Sequence, residues 1–92
     1  MPSAAADIEI SGMVQGVGYR YFCFQNAMKL NLNGWVKNNF DGSVSIAVEG
    51  ERGMIEELIK TLRVGPPASA VRDVNVSWQT FQNRFDRFEI AR

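Results

Sequence analysis

Histidine is absent from the 92 residues, and cysteine occurs once. Without an imidazole the chain cannot build a Ser-His-Asp or Cys-His hydrolytic set, carry a phosphohistidine or ligate a metal through histidine. The lone Cys23 cannot form a disulfide within the chain, which favours a reducing compartment, and the cytoplasm is the expected location. The residue six positions beyond it is Lys29 rather than arginine, so a cysteine-nucleophile phosphatase loop is missing as well. No glycine is followed directly by lysine and Ser or Thr, which removes the ATP-cradling P-loop. Neither sign of charge predominates: ten Lys and Arg offset ten Asp and Glu. A general nucleic-acid or anionic-membrane binder is expected to be basic, so neither nucleic acid nor membrane is an expected partner. No apolar run approaches the ~20 residues that span a bilayer, and Met1 to Ala6 lack the basic and apolar regions of a signal peptide.

What is present reads as one domain, 1–92, with a single core. Residues 1–6 are small, have nothing evident to pack against and are expected to fray. Ile8, Ile10 and Val14 alternate with polar residues at the period of a half-buried strand, interrupted at Gly12. Tyr19, Cys23, Ala27 and Leu30 recur at helical spacing with Phe22 beside them, predicting a helix from Arg20 to about Leu30. Asn31 is placed to take a left-handed cap at its end. Asn33 to Asn39 and the alternating Val44, Ile46 and Val48 predict a hairpin closed by Phe40-Asp41-Gly42. Met54, Ile55, Leu58, Ile59 and Leu62 mark a second helix, stopped by Gly65-Pro66-Pro67. Val74, Val76 and Trp78 mark a fourth strand, and Phe88 with Ile90 a short fifth. With a right-handed crossover at each helix, this order predicts an α+β ferredoxin-like βαββαβ sandwich, an antiparallel sheet with both helices on one face.

The run Gly12-Met13-Val14-Gln15-Gly16-Val17-Gly18-Tyr19-Arg20 leads from the first strand through a glycine-punctuated turn into the first helix. It has two readings. One is an ordinary strand-to-helix connection with a surface arginine. The other is an anion cradle, in which Gly16 and Gly18 take positive φ, backbone N–H groups converge, and the Arg20 guanidinium meets two oxygens of a phosphoryl group. The ten carboxylates look dispersed over outward positions such as Glu9, Glu49, Glu56, Glu57 and Glu89, and Asp41 is assigned to the hairpin turn. No metal and no other cofactor is therefore expected, which leaves chemistry by neutral and permanently cationic groups.

The cradle run, followed by Gly34-Trp35-Val36-Lys37-Asn38, Asp41-Gly42-Ser43-Val44 and Gly65-Pro66-Pro67, resembles the acylphosphatase family from about Ile8 to Ile90. The resemblance implies the same sandwich fold and hydrolysis of a carboxyl-phosphate anhydride in a small acyl phosphate. It implies a catalytic pair, Arg20 holding the phosphoryl group and Asn38 placing the attacking water, with Gln15, Gly16, Val17, Gly18, Tyr19 and Arg20 as the phosphate-binding segment. Gln15 is expected to contribute its backbone. Such a substrate suits a site without acids or bases, since its carboxylate leaves unaided and its own phosphate can accept the proton; no covalent enzyme intermediate is needed. Asn39 stands where the family often has threonine, and Tyr19 where phenylalanine is commoner. A binding module is the rival reading, because this fold also hosts RNA-recognition and small-ligand domains; against RNA, Ser43 to Val48 offers no aromatic stacking platform. A second rival is an acylphosphatase-like domain for carbamoyl phosphate chemistry in a larger hydrogenase-maturation protein. The chain's ending at Arg92 favours a freestanding enzyme, with a monomer as the default state.

Overall fold

A computed structural model describes residues 2–92. The elements are β1 (Ser3–Met13), α1 (Tyr19–Lys29), β2 (Asn33–Asn38), β3 (Val44–Glu51), α2 (Arg52–Val64), β4 (Ala70–Gln79) and β5 (Phe88–Ile90), in the expected βαββαβ order with the short fifth strand. One sheet holds all the strands in the order β4-β1-β3-β2-β5. Each helix therefore connects two strands across one that lies between them, β3 under α1 and β1 under α2. The helices touch each other on one face of the sheet. Between them and the sheet lies the core: Ile8 and Ile10 of β1, Val36 of β2, Val44, Ile46 and Val48 of β3, with Cys23 and Ala27 of α1 and Ile55, Leu58 and Leu62 of α2.

The period-2 and helical stripes thus select the buried faces they predict. Asn31 takes the left-handed conformation at φ 57°. Its N–H reaches the Met28 carbonyl and that of Leu32 reaches Ala27, the paired bonds that close a helix end. Phe24, off the predicted stripe, covers the sheet edge by packing its ring against Phe88 of β5 at 6.3 Å.

The structure differs from expectation in three places. First, residues 3–6 are not frayed but form the start of β1, with Ala4, Ala5 and Ala6 buried and paired to Gly50, Glu49 and Val48 of β3; Met1 lies outside the described residues. Three consecutive alanines carry no alternation to read, yet a central strand needs only small side chains where it is covered on both faces. Second, the sheet is mixed. β5 runs parallel to β2, with Gly34 opposite Phe88 and Val36 opposite Ile90. β4 sits on the far edge and runs opposite to β1, so a chain that leaves it, crosses the sheet end and turns back up the other edge must run along β2.

Third, Glu49 is not an outward carboxylate: it is 2 % exposed. Alternation places it on the face away from the helices, but the crossing segment between β4 and β5 covers it. Its oxygens accept from the backbone N–H of Gln82 at 3.0 Å and of Arg84 at 2.7 Å, and from Arg84 Nε at 3.2 Å. Asn83, at φ 53°, turns the chain between those two amides. Burial pushes the Glu49 pKa up, but the two backbone bonds, the guanidinium bond and its charge together leave it below the usual glutamate value.

A carboxylate depressed in this way stabilises the fold fully above its unfolded pKa of about 4.3, and the contribution is lost as pH falls through the lower folded value. Glu49→Gln should therefore cost about 1–3 kcal/mol at pH 7, where charge-assisted bonds are exchanged for weaker ones. The deficit should shrink on going to pH 3, as the parent's carboxylate protonates. Urea unfolding of parent and variant at the two pH values measures both.

Candidate active site

The cradle run folds as a turn rather than as more strand because its glycines leave the β region. Gly16 has φ 74°, and Gly18 has φ 78°, ψ 17°. A Cβ built on either meets nothing within 4 Å, so the positive φ, not crowding, is what calls for glycine there. Gly18 is the N-cap of α1 and offers no capping side chain; the first turn holds no acid. Phe22 N–H makes the bond back to the Gly18 carbonyl. The amides of Tyr19, Arg20 and Tyr21 precede it and have no acceptor within the helix.

These groups open onto a depression of about 200 Å³ lined by Val14, Gly16, Gly18, Tyr19, Arg20 and Tyr21, with Asn38 from the end of β2 and Ile90 from β5. Arg20 and Asn38, distant in sequence, thus face one cavity. Arg20 is half-buried and, among the described residues, makes no ion pair. Asn38 Oδ1 is buried without a hydrogen-bond partner, alone in this among side-chain polar atoms of the described residues. An orphaned acceptor of that kind costs about 1–3 kcal/mol.

Two members of the predicted segment point elsewhere. Val17 packs against the core. Gln15 does more than supply backbone: its side-chain amide donates to the carbonyls of Asn39 at 2.8 Å and Ser43 at 2.9 Å. Tyr19 lines the cavity, while its hydroxyl donates to the Leu62 carbonyl of α2 at 2.7 Å. Burial, then the neighbouring Cys23, raises the Tyr19 pKa. Burial likewise pushes the Cys23 thiol up to about 12, so it is no nucleophile at neutral pH. Asp41 accepts from the Ser43 hydroxyl and amide, which together hold its pKa low, in keeping with a turn residue.

Sequence reasoning missed Val14, Tyr21 and Ile90 as walls of the cavity. Tyr21 directly follows Arg20 and could have been considered; Ile90 arrives only through the β2–β5 pairing, for which the sequence has no local signal. A larger depression of about 510 Å³ lies on the open sheet face between Asp7, Glu9, Trp35, Ser45 and Asn75. It presents two carboxylates and no cation, and so does not suit an anion. Lys37 lies over the Trp35 ring at 5.4 Å.

Residues 6–90 match the family model described as Acylphosphatase. The acylphosphatase of Syntrophotalea carbinolica is 41% identical over 83 residues, 90% of each chain. The crystal structure of acylphosphatase from Bacillus subtilis superposes with a TM-score of 0.94 at 37% identity, covering 97% of this chain and 99% of that one. Full-length HypF, solved in a phosphate- and nucleotide-bound form, is also similar, with a TM-score of 0.89 and 37% identity, but the match spans 98% of this chain and only 12% of HypF. With the family model spanning nearly the whole sequence and relatives of matching length above 40% identity, the chain belongs to the acylphosphatase family.

Proposed function

We propose that this protein hydrolyses the carboxyl-phosphate bond of small acyl phosphates to a carboxylate and inorganic phosphate. The observation that carries the reading is the meeting of Arg20, the start of α1 without a side-chain cap, and Asn38 around one cavity, together with the unpartnered side-chain oxygen of Asn38. The phosphoryl oxygens would take the free amides of the Gly16 to Arg20 segment and the Arg20 guanidinium, groups already oriented before substrate arrives. In a loose phosphoryl-transfer transition state the charge lies on those equatorial oxygens, where fixed donors stabilise it most. Asn38 Oδ1 would accept a hydrogen bond from the attacking water and hold it in line with the scissile bond.

No general acid is needed, because the leaving group is a carboxylate that departs as the anion. The water's proton passes to a phosphoryl oxygen, so phosphate itself closes the proton balance. No enzyme nucleophile enters this scheme: Cys23 and the Tyr19 hydroxyl are both buried and committed to the fold. The reaction runs without a metal, in a monomer of the reducing cytoplasm, where Cys23 remains a thiol.

Phosphate release from benzoyl phosphate, measured with a chelator present, tests the activity; turnover should persist and inorganic phosphate should inhibit competitively. Absence of phosphate release would contradict the reading. Asn38→Ala should lose on the order of 10²-fold or more in kcat while phosphate affinity stays within a few-fold. Arg20→Lys keeps the charge and loses the planar fork, and should lose about 2–4 kcal/mol of transition-state stabilisation in kcat/KM with its thermal melt unchanged. A folded, fully active Arg20→Lys protein would remove the two-oxygen clamp from the mechanism.

A further inference from the structure

The two halves of the proposed site stand on strands that do not touch. β1 leads into the cradle, β2 ends at Asn38, and β3 lies between them. No sheet hydrogen bond joins cradle to asparagine directly. Across the gap, the loop of residues 14–18 and the hairpin end of residues 38–43 are linked, among the described residues, by two hydrogen bonds. Both come from one side chain: Gln15 Nε2 donates to the carbonyls of Asn39 and Ser43. Both amide hydrogens are spent, so the plane of the amide is set as well as its reach.

The receiving end is itself held on every side. Asn39 N–H donates to the Ser43 carbonyl at 2.9 Å and Gly42 N–H to the Asn39 carbonyl at 3.2 Å. The Asn39 side-chain amide donates to the Ser43 and Ser45 hydroxyls at 2.8 and 2.7 Å. Those hydroxyls donate onward, Ser43 to Asp41 in the turn and Ser45 to Glu9 on β1. Asn39 Nδ2 also lies 3.3 Å from the Glu9 carboxylate, so the hydrogen bonds converge on two carboxylates and hold the residue beside Asn38.

We infer that Gln15 is a positioning residue of the proposed reaction, its side chain tying the cradle to the strand end that carries Asn38 so that phosphorus and water stay aligned. The inference rests on the reading of Asn38 as the water-holding group. It separates from a purely structural role because each carbonyl that Gln15 serves also has a backbone donor. Removing the glutamine therefore strands neither carbonyl, and little stability should go with it, whereas the distance between cradle and Asn38 loses its tie.

The test is Gln15→Leu, of similar bulk and without donors, made in the parent and in an Asn38→Ala background. Benzoyl phosphate kinetics, inhibition by inorganic phosphate and a thermal melt are measured for all four proteins. In the parent background kcat should fall roughly 10- to 100-fold, as for a small misplacement of a reacting group, with phosphate inhibition changed by less than about threefold. In the Asn38→Ala background the same substitution should change the residual rate by less than about twofold, since the group it positions is gone. Gln15→Met, unbranched and equally without donors, repeats the comparison should the leucine lower the melt. An equal loss in both backgrounds, a loss matched by weaker phosphate inhibition, or no loss in the parent background would each overturn the inference. An Asn38→Ala enzyme as fast as the parent would overturn the reading of Asn38 and this inference with it. A slow Asn38→Ala enzyme beside a fast Gln15→Leu enzyme would overturn the inference alone.

Discussion

The N-cap of helix α1 is a glycine with no side chain to accept the first amides, and its first turn contains no acid to offset the dipole. Three backbone amides therefore keep their hydrogens for something outside the helix, at an end that carries about half a positive charge. Such an end is unfavourable next to anything but water or an anion, and Arg20 adds a full charge to it. The rest of the fold holds this end still. Cys23 and Ala27 bury the helix against the sheet, the Tyr19 hydroxyl ties its first residue to the carbonyl of Leu62, and Asn31 closes its far end. In the proposed reaction, phosphoryl binding is then a matter of fitting oxygens to donors already in place, with little reorganisation left to the moment of reaction.

The opposite wall of the cavity depends on a longer chain of causes. Glu49 collects the amides of Gln82 and Arg84, which draws the crossing segment over the open sheet face. That segment delivers β5 to the outer side of β2, where Phe88 packs on Phe24 and Ala91 N–H bonds to the Val36 carbonyl at 2.8 Å. Ile90 reaches the cavity by this route. A buried carboxylate at one end of the sheet is thus linked through the crossing segment to a wall of the cavity at another edge.

Most of the fold was legible because the faces of α2, β3 and the central part of β1 carry regular apolar periods. What escaped had no period to read. Ala4 to Ala6 are uniform, so the start of β1 shows no inside or outside. Glu49 follows the parity of an outward residue, and only the later crossing of residues 80–87 buries it. The direction of β5 depends on which sheet edge the chain reaches, a fact of topology rather than of local sequence. In the site, Gly16, Gly18 and Arg20 were legible as backbone chemistry at a helix start, and Asn38 through a family pattern around Gly34 and Trp35. The Gln15 side chain was not, because its two acceptors are main-chain carbonyls, which no residue type announces.

The central claim is that the cavity presents phosphorus, not the acyl carbon, to a water. Hydrolysis of benzoyl phosphate in ¹⁸O-enriched water separates the two, since the bond that breaks decides which product carries the label. Mass analysis of both products should find one ¹⁸O in inorganic phosphate and none in benzoate. Label in benzoate would mean attack at the carbonyl carbon, and would contradict the placing of the phosphoryl group against Arg20 with the water on Asn38.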